Sequence, residues 1–587
     1  MRQRVASVAG YTCLLIGLLD IASAIRPGMR DGRIARITHY VPGFPDSLAR
    51  ATSLAAGILL VMLARGLARR KLRAWRAAVV LLGPCAVIQS LRHHEIIPAV
   101  VSAALCGVLI AYRKEFYALG DPRTRVRAIG NFILVGLCSV GLGLAIVGVR
   151  AHEESGGRGI GFSDRLQQVL YGMAGLDGPI AYTSPRVADL VSFCLLALGL
   201  VTACTTAYLA LRPARHGLPD PEGGEEKLRA LLEKDGARDS LGYFALRRDK
   251  SVMWSPTGKA AIAYRVVSGV ALASGDPIGD YEAWPGAIKE FLDQCAKHAW
   301  TPGVMGCSEL GGQVWTREGG LHALELGDEA IVDTKTFSLS GRTMRNVRQM
   351  VNRIERAGYS CQVRHVRDLP KQEKKKLRED AAAWRGSATE RGFSMALGRF
   401  GAPGDGDCVV VTAHQPDENG VDRVRALLHF VPWGPDGISL DLMRRDRTAE
   451  PGLNELLIVA ALKAAPGLGI NKVSLNFAVF RAALARGEKL GAGPVLRIWH
   501  RLLVFSSRWF QIESLYRFNA KFQPVWEPRF VVYPTSRDLP RISWACMQAE
   551  AFVVLPRPAE RLRQYLRSKP RYVKIRRSLP MAGVQRG

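Results

Sequence analysis

The chain has 587 residues, a formal net charge of +29 and a mean hydropathy of +0.03. This length exceeds one domain, and a hydropathy near zero here averages two very different halves. The 11 cysteines show neither CxxC pairs nor metal-ligand spacing, which argues against a disulfide framework and a zinc site. The basic balance favours an anionic partner, and nucleic acid or anionic lipid headgroups would both satisfy it.

Apolar runs of membrane-spanning length occupy the first part of the chain. Six transmembrane helices are predicted, several of them near the lower limit of about 17 residues. A cleaved signal sequence is the alternative for the first, although it lacks a small-residue cleavage site. The predicted spans are residues 5–25, 48–67, 77–91, 96–112, 129–149 and 190–211.

The distribution of basic residues predicts the orientation of these spans. The most basic short loops, residues 68–76 and 113–127, fall on the same side as the N-terminus and the segment after the last span. Cytoplasmic loops carry the excess of lysine and arginine in membrane proteins. Both termini are therefore predicted to be cytoplasmic, in a multi-pass protein of the cell membrane.

Composition changes after the last span. Residues 1–211 form the predicted membrane domain, and residues 212–226 form a linker rich in proline, glycine and charge. Antiparallel strands that lead into a helix occur twice in the soluble part, which indicates two tandem α/β units. The units are placed at residues 227–385 and 386–556, and a polybasic tail at residues 557–587.

A helix with one cationic face is predicted within residues 337–358. Its apolar residues Met344, Val347, Val351 and Ile354 recur at helical spacing. The charged face could simply be a solvated surface. Because its arginines outnumber its acidic residues, however, phosphate binding is favoured. The predicted phosphate or tRNA contacts are Arg342, Arg345, Arg348 and Arg356.

Residues 437–530 show the pattern strand, helix, strand. Alternation predicts that Ile438, Leu440 and Leu442 share one face of the first strand, which leaves Asp441 on the other face. A carboxylate is thus directed away from the core.

Basic residues surround this carboxylate in the sequence. Arg444 follows in the same strand, and Arg517, Lys521 and Arg529 come later. No GxSxG, HExxH or Walker A motif is present in the chain. An acid among cations beside a membrane suits transfer between two bound anionic substrates, where positioning and charge stabilisation supply most of the rate. Residues 497–521 mix aromatic and basic side chains, which fits a membrane interface or, alternatively, a core helix.

The soluble part contains, in order, the motifs SGDPIGD, SLSGRTMRNVRQMVNR, SLDLMRRD, GLNELLIV, VSLNFAVFR and QIESLYRFNAKFQPVWEPRF. Together they resemble the phosphatidylglycerol lysyltransferase family, over roughly residues 231–554. The resemblance implies a multi-span α-helical membrane domain followed by an α/β cytoplasmic domain of two tandem acetyltransferase-like (GNAT-type) folds. It also implies that the second fold is catalytic.

The resemblance implies transfer of an aminoacyl group from aminoacyl-tRNA to the glycerol hydroxyl of phosphatidylglycerol, without a metal or cofactor. Lowered negative charge on the membrane and resistance to cationic antimicrobial peptides would follow. Some relatives carry a fused lysyl-tRNA synthetase after this region, so a separate synthetase is expected here. Homo-oligomerisation stays open.

The resemblance also suggests roles for single residues. Asp441 would polarise the lipid hydroxyl or hold the aminoacyl α-amine, and Arg444 would orient Asp441 or bind phosphate. Arg517 and Lys521 would hold the lipid phosphate or the tRNA 3′ end. The remaining predicted substrate contacts are Asn454, Glu455, Asn476, Asn519 and Arg529.

Four alternatives remain at this point. Alanine could replace lysine as the transferred group, and diacylglycerol could replace phosphatidylglycerol as the acceptor. A related tRNA-dependent transferase could act on a cell-wall precursor. A membrane-anchored basic protein that binds RNA or lipid without catalysis is the non-enzymatic alternative.

Overall fold

The structure is a computed structural model. It describes residues 5–25, 46–91, 96–118, 122–154, 161–176, 178–182, 184–210, 223–386, 390–479 and 512–553. The polybasic tail predicted at residues 557–587 lies outside the described residues. The same holds for most of the predicted linker and of the aromatic and basic segment.

The first part of the described chain is helical. Its helices are α1 (Val5–Ile25), α2 (Asp46–Ala68), α3 (Leu72–Leu91), α4 (Ile96–Ala111), α5 (Pro122–Glu154), α6 (Phe162–Met173) and α7 (Pro185–Ala210). Small residues let α1 and α2 approach closely. A Cβ added to Gly10 would lie 2.8 Å from the Ala64 carbonyl oxygen, and one added to Gly17 would lie 2.7 Å from that of Gly57.

Each predicted span falls on one of these helices. By length and composition, two helical stretches in the described part of the chain are long and apolar enough to cross a membrane, Ala128–Val149 and Pro185–Ala210. Shorter apolar stretches lie within α1, α2 and α4. The count of six spans therefore stays a prediction.

The soluble part is built on a mixed sheet. Its strands are β1 (Ser251–Trp254), β2 (Ala260–Val267), β3 (Val270–Ser274), β4 (Ile278–Gly279), β5 (Thr301–Cys307), β6 (His322–Asp333), β7 (Ser360–His365), β8 (Val409–Pro416), β9 (Asp422–Trp433), β10 (Gly437–Arg445), β11 (Lys472–Val479) and β12 (Val525–Tyr533). Its helices are α8 (Gly224–Asp235), α9 (Trp284–His298), α10 (Glu309–Gly319), α11 (Arg345–Arg356), α12 (Lys371–Trp384), α13 (Leu453–Ala464), α14 (Ile512–Ala520) and α15 (Leu539–Ala549).

One sheet runs through both predicted units. The order of its described strands is β1-β2-β3-β5-β12-β6-β11-β10-β9-β8-β7, with β4 paired to β2. The boundary predicted at residues 385/386 falls between β7 and β8, which are antiparallel neighbours. Moreover, β12 returns from the end of the chain to pair with β5 and β6. The predicted boundary is therefore wrong as a division of the sheet, because long-range strand pairing overrides the order of the elements along the chain.

Helices cover both faces of the sheet. Strand β8 shows the two faces, because Val410 packs into a core with α12 and α15, whereas Val409 and Val411 pack into a core with α11 and α13. Helices α9 and α10 cover a third core on β2, β3 and β5. The burial of these apolar side chains is the main favourable contribution to folding.

A buried cluster of ion pairs and hydrogen bonds links strands at the centre of the sheet. Arg529 of β12 is 3% exposed, and its guanidinium donates to Asp239 at 2.7 Å and to Glu329 of β6 at 2.8 Å. Glu329 also accepts hydrogen bonds from Ser240 and from Ser474 of β11. The prediction that Arg529 contacts substrate is therefore wrong, because its donors are committed to buried carboxylates.

Replacing Arg529 should destabilise the protein. We expect Arg529→Gln to lower the free energy of unfolding by about 3–5 kcal/mol, because two buried carboxylates lose their partner. Thermal unfolding of the detergent-solubilised chain measures this, and Arg317→Gln on an exposed helix face is the control. A variant with unchanged stability would contradict the structural role.

Candidate active site

A cavity of about 790 Å³ opens on the sheet face covered by α12. It lies where the parallel strands β10 and β11 part, since their pairing ends at Ser439 and Ser474. Three predicted site residues, Asp441, Arg444 and Asn476, line this cavity together. Their convergence makes the cavity the candidate active site.

A β-bulge directs Asp441 into the cavity. The register of β10 against β9 shifts between Leu440 and Leu442, so that Asp441 is the extra residue. As a result Leu440 packs in the core under α13, whereas Leu442 packs against the core on the α12 side. The prediction that Leu442 shares a face with Ile438 and Leu440 is therefore wrong, because strict alternation does not survive a bulge.

Two groups of the protein fix the Asp441 carboxylate. The Leu397 N–H donates to Oδ1 at 2.6 Å, and His429 Nδ1 of β9 lies 2.7 Å from Oδ2. The His429 side chain is fully buried, and that of Asp441 is 4% exposed. Burial alone would lower the pKa of His429, but the hydrogen bond to Asp441 raises it to about 10.

Asn476 holds the parting strands in position. Its backbone has a φ of 67°, in the left-handed region that few side chains adopt. Its Nδ2 donates to the Leu440 carbonyl oxygen, a group that no longer pairs across β10 and β11. The side-chain Oδ1 is buried without a hydrogen-bond partner among the described residues. One acceptor at the strand gap is thus left for a ligand.

The cavity is strongly cationic. In the described part of the chain six arginines line it, against the carboxylates of Asp441, Glu390 and Glu550. The arginines are Arg248, Arg378, Arg385, Arg391, Arg399 and Arg444. The positive potential of such a site attracts anionic substrates more strongly than neutral ones.

Arg444 has a defined partner in the cavity. Its guanidinium donates to Glu390 at 2.8 Å, and Arg385 donates to the other oxygen of the same carboxylate at 2.8 Å. Its Nε is buried without a hydrogen-bond partner among the described residues. No direct contact of Arg444 with Asp441 is seen, and its predicted role as a phosphate ligand stays a prediction.

The other predicted substrate contacts do not line the cavity. Lys521 and Glu455 pair with each other at 2.8 Å, and Asn519 is buried with its amide 3.4 Å from the Leu475 carbonyl oxygen. Asn454, in the first turn of α13, has a buried Oδ1 without a partner among the described residues. Arg517 is exposed on α14. The predicted roles of these residues stay predictions.

The arginine helix α11 has the predicted apolar face, and it lies away from the cavity. Its buried side chains contact α13, on the sheet face opposite α12 and the cavity. Asp441 therefore does not face this helix. Arg342, Arg345 and Arg356 are exposed, whereas Arg348 donates to the Leu339 carbonyl oxygen. Three of the four predicted phosphate contacts are thus accessible, on a separate surface.

Sequence reasoning missed several residues of the cavity. His429 lies in the apolar second half of β9, and only the strand register places it beside Asp441. Glu390, Arg391 and Glu550 come from segments without periodicity. Glu550 accepts the Phe393 N–H at 2.8 Å and so fixes the cavity wall. Among the described residues, no group of three or more acidic, His or Cys side chains could hold a metal ion.

Comparison with known proteins places the chain in a family. Residues 229–533 match the profile described as phosphatidylglycerol lysyltransferase, C-terminal. The chain belongs to this family. Residues 1–152 match the profile described as the transmembrane region of lysyl-tRNA synthetase. A membrane domain followed by an acyltransferase domain is thus the architecture.

Close relatives and a solved structure agree with this placement. The lysylphosphatidylglycerol biosynthesis bifunctional protein LysX of Rhodococcus opacus (strain B4) is 42% identical over 560 residues, covering 94% of this chain and 48% of the relative. Its counterpart in Mycobacterium avium (strain 104) is 42% identical over 578 residues, with 94% and 47% covered. The chain thus spans about half the length of these curated relatives. The structure of L-PGS from Bacillus licheniformis has a TM-score of 0.50 and 24% identity, covering 57% of this chain and 99% of that one, and therefore shares the fold.

The His429–Asp441 pair should make stability depend on pH. Because its pKa is raised to about 10, folded His429 keeps a proton that the unfolded chain releases above about pH 6.5. The ion pair therefore makes its full contribution to the stability of the folded protein below pH 6.5. This contribution is lost as the pH rises towards 10. We expect His429→Gln to lower the free energy of unfolding by about 3 kcal/mol or more at pH 6. The difference in stability between the variant and wild type should become smaller towards pH 10.

Melting temperatures of wild type and His429→Gln across this pH range measure the difference in stability. His414→Gln is the matched control, since His414 pairs with Asp422 at 2.9 Å but that carboxylate is 54% exposed. Solvent screening makes such a pair contribute little. A stability difference between His429→Gln and wild type that stays constant from pH 6 to pH 10 would contradict the assignment of this ion pair.

Proposed function

We propose that the chain transfers an aminoacyl group, lysyl in the first instance, from aminoacyl-tRNA to the glycerol hydroxyl of phosphatidylglycerol. The observation that carries the proposal is the cationic cavity around Asp441, set in a chain of this family that also has a membrane domain. The names of the relatives, which refer to lysylphosphatidylglycerol, support lysine and this lipid.

The reaction exchanges one ester for another. The lipid hydroxyl attacks the carbonyl carbon of the aminoacyl ester and forms a new C–O bond, while the C–O bond to the tRNA ribose breaks. The hydroxyl proton ends on the departing ribose oxygen, so the exchange consumes no proton. The ester is already activated, and positioning of the two substrates can supply much of the rate.

In this proposal Asp441 holds the α-ammonium of the aminoacyl group. The Leu397 N–H and His429 already fix both carboxylate oxygens, each of which keeps a lone pair for a further donor. A carboxylate fixed in this way orients a cation without rearranging, which favours a single reactive geometry. The free acceptor of Asn476 lies in the same cavity wall and provides a second contact.

The arginines of the cavity bind the phosphates of the two substrates. Both tRNA and phosphatidylglycerol carry phosphodiesters, and guanidinium groups bind phosphate oxygens in bidentate fashion. Arg444 is the best placed of the predicted residues, because it lines the cavity beside Asp441. The exposed arginines of α11 would contact the tRNA body at a distance from the chemistry.

The proposal also covers topology and physiology. In this proposal the cavity domain lies on the cytoplasmic side, where charged tRNA is found. The basic short loops, which predict cytoplasmic termini, support this orientation. A lysyl group carries two ammonium groups and reverses the negative charge of the headgroup. Weaker attraction of cationic antimicrobial peptides to the membrane is the expected consequence.

Asp441→Asn tests the central role. We expect the variant to form at least tenfold less aminoacylated lipid, because a hydrogen bond to a charged group contributes about 1.5–3 kcal/mol. Lipid extracts of expressing cells are compared by mass spectrometry, at matched protein levels. Asp422→Asn removes a similar His–Asp contact from β9 outside the cavity, and should leave the product unchanged.

Two outcomes would contradict the proposal. Wild-type cells without any new aminoacylated lipid would favour a cell-wall precursor or a non-catalytic role. Product formation that survives ribonuclease in a cell-free assay would exclude a tRNA donor. The mass of the product also distinguishes lysine from alanine, and phosphatidylglycerol from diacylglycerol.

A further inference from the structure

One side of helix α12 carries a row of cations. Its basic side chains recur at steps of three, four and seven residues, and such steps return to the same side of a helix. The residues of this row are Lys371, Lys374, Arg378 and Arg385. We call them the α12 stripe. Because a helix rises about 1.5 Å per residue, the stripe is about 20 Å long.

The acidic residues of α12 lie off the stripe. With 3.6 residues per turn, Glu373, Glu379 and Asp380 project at least about 100° away from Arg378 around the helix axis. Glu379 lies 4.0 Å from Lys375, which borders the stripe. Lysines in the first two turns also oppose the helix dipole, which favours acidic residues there, so the stability of the helix does not explain them.

The C-terminal half of the stripe lines the candidate active site. Arg378 and Arg385 line the cavity together with Ala381 and Ala382, which lie on the same side of the helix. Arg378 is exposed, and its Nε and Nη2 donate to the Phe400 carbonyl oxygen at 3.2 and 3.0 Å. These two hydrogen bonds fix the guanidinium at the rim of the cavity.

The N-terminal half of the stripe continues from this rim into solvent. Lys371 is exposed and Lys374 is half-buried. Lys374 flanks the cavity wall, because a Cβ added to the lining residue Gly401 would lie 3.7 Å from the Lys374 Cβ and Cγ. Within the described part of the chain, neither lysine forms an ion pair. Two positive charges directly outside the cavity are therefore available to a ligand.

We propose that the α12 stripe binds the phosphates of the single-stranded 3′ end of the donor RNA and guides this end into the cavity. The two lysines contact the RNA backbone outside the cavity, and Arg378 contacts a phosphate at its rim. This inference rests on the proposed function, because the ester on the terminal ribose must reach Asp441.

The form of the stripe favours RNA over a lipid surface. A phosphatidylglycerol headgroup carries one phosphate, whereas an RNA strand repeats the phosphate along its length, as the stripe repeats its cations. The row of charges also ends inside a cavity, which a flexible single strand can enter and a bilayer surface cannot. Because phosphate contacts carry no sequence information, the stripe should position the 3′ end whatever its sequence.

The position of the stripe also distinguishes it from the arginine helix. Helix α12 packs on the sheet face that carries the cavity, whereas α11 packs on the opposite face. Among the described helices with a cationic side, α12 is thus the one that is continuous with the cavity. The arginines of α11 could hold the tRNA body, but the path of the 3′ end runs along α12.

RNA binding without turnover tests this proposal. The first probe is a fluorescent, uncharged acceptor minihelix with a single-stranded ACCA 3′ end, and the second is the same helix with a blunt end. Each probe is titrated with the full chain in detergent. The test variant is K371Q/K374Q. The matched control is K376Q/K289Q, because Lys376 lies on the opposite side of α12 and Lys289 is exposed on α9.

Both variants remove the same charge, and melting temperatures confirm that both are folded. K371Q/K374Q should bind the ACCA minihelix about tenfold more weakly than the control does. The slope of log affinity against log salt should be smaller by about 1.4, the value for two phosphates of a single strand. Removal of the ACCA end should weaken wild type and the control equally, and should have a much smaller effect on K371Q/K374Q.

Equal affinity of K371Q/K374Q and the control for the ACCA minihelix would overturn the proposal. If K371Q/K374Q then also bound phosphatidylglycerol vesicles more weakly than the control, the stripe would be assigned to the membrane instead. Failure of the proposed function gives a different result, since wild type would bind the ACCA end through the lysines and yet form no aminoacylated lipid.

Discussion

The parting of β10 and β11 is the constraint on which the rest of the site depends. The two strands pair in parallel only as far as Ser439 and Ser474. Both serines are tied to the ion cluster of Arg529, since Ser474 donates to Glu329 and Ser439 donates to the Ser240 carbonyl oxygen. The cluster thus holds the strands together immediately before they separate. Beyond this point the bulge at Asp441 and the left-handed Asn476 keep the gap open, and the cavity forms there.

Charge then determines what the gap can bind. Most cationic groups of the cavity bind acceptors that belong to the protein itself, and these contacts fix the cavity walls. Glu390 joins Arg385 to Arg444, and Glu550 anchors the Phe393 backbone. The remaining excess of positive charge suits two phosphodiester substrates that would otherwise repel each other. In the proposed transfer between two anionic substrates, preorganised side chains of the cavity would supply this compensation.

Much of this arrangement could be predicted from the sequence, and the failures have physical causes. Helical periodicity correctly predicted the buried face of α11. Asp441, which the alternation in β10 singled out, lines the cavity, and its role stays a prediction. Periodicity carries no information about a bulge, so Leu442 was assigned to the wrong face. It also cannot show which strands pair over long range, and so the role of Arg529, the partner His429 and the domain boundary were missed. Residues on irregular segments, such as Arg391, give no periodic signal at all.

The most direct test of the account is a structure of the full chain with a stable donor analogue, lysine joined by an amide to 3′-amino-3′-deoxyadenosine. The account predicts that the α-ammonium lies within hydrogen-bond distance of the Asp441 carboxylate, inside the gap between β10 and β11. An analogue bound elsewhere, for example against the arginines of α11, with the Asp441 cavity unchanged, would contradict the assignment of the active site.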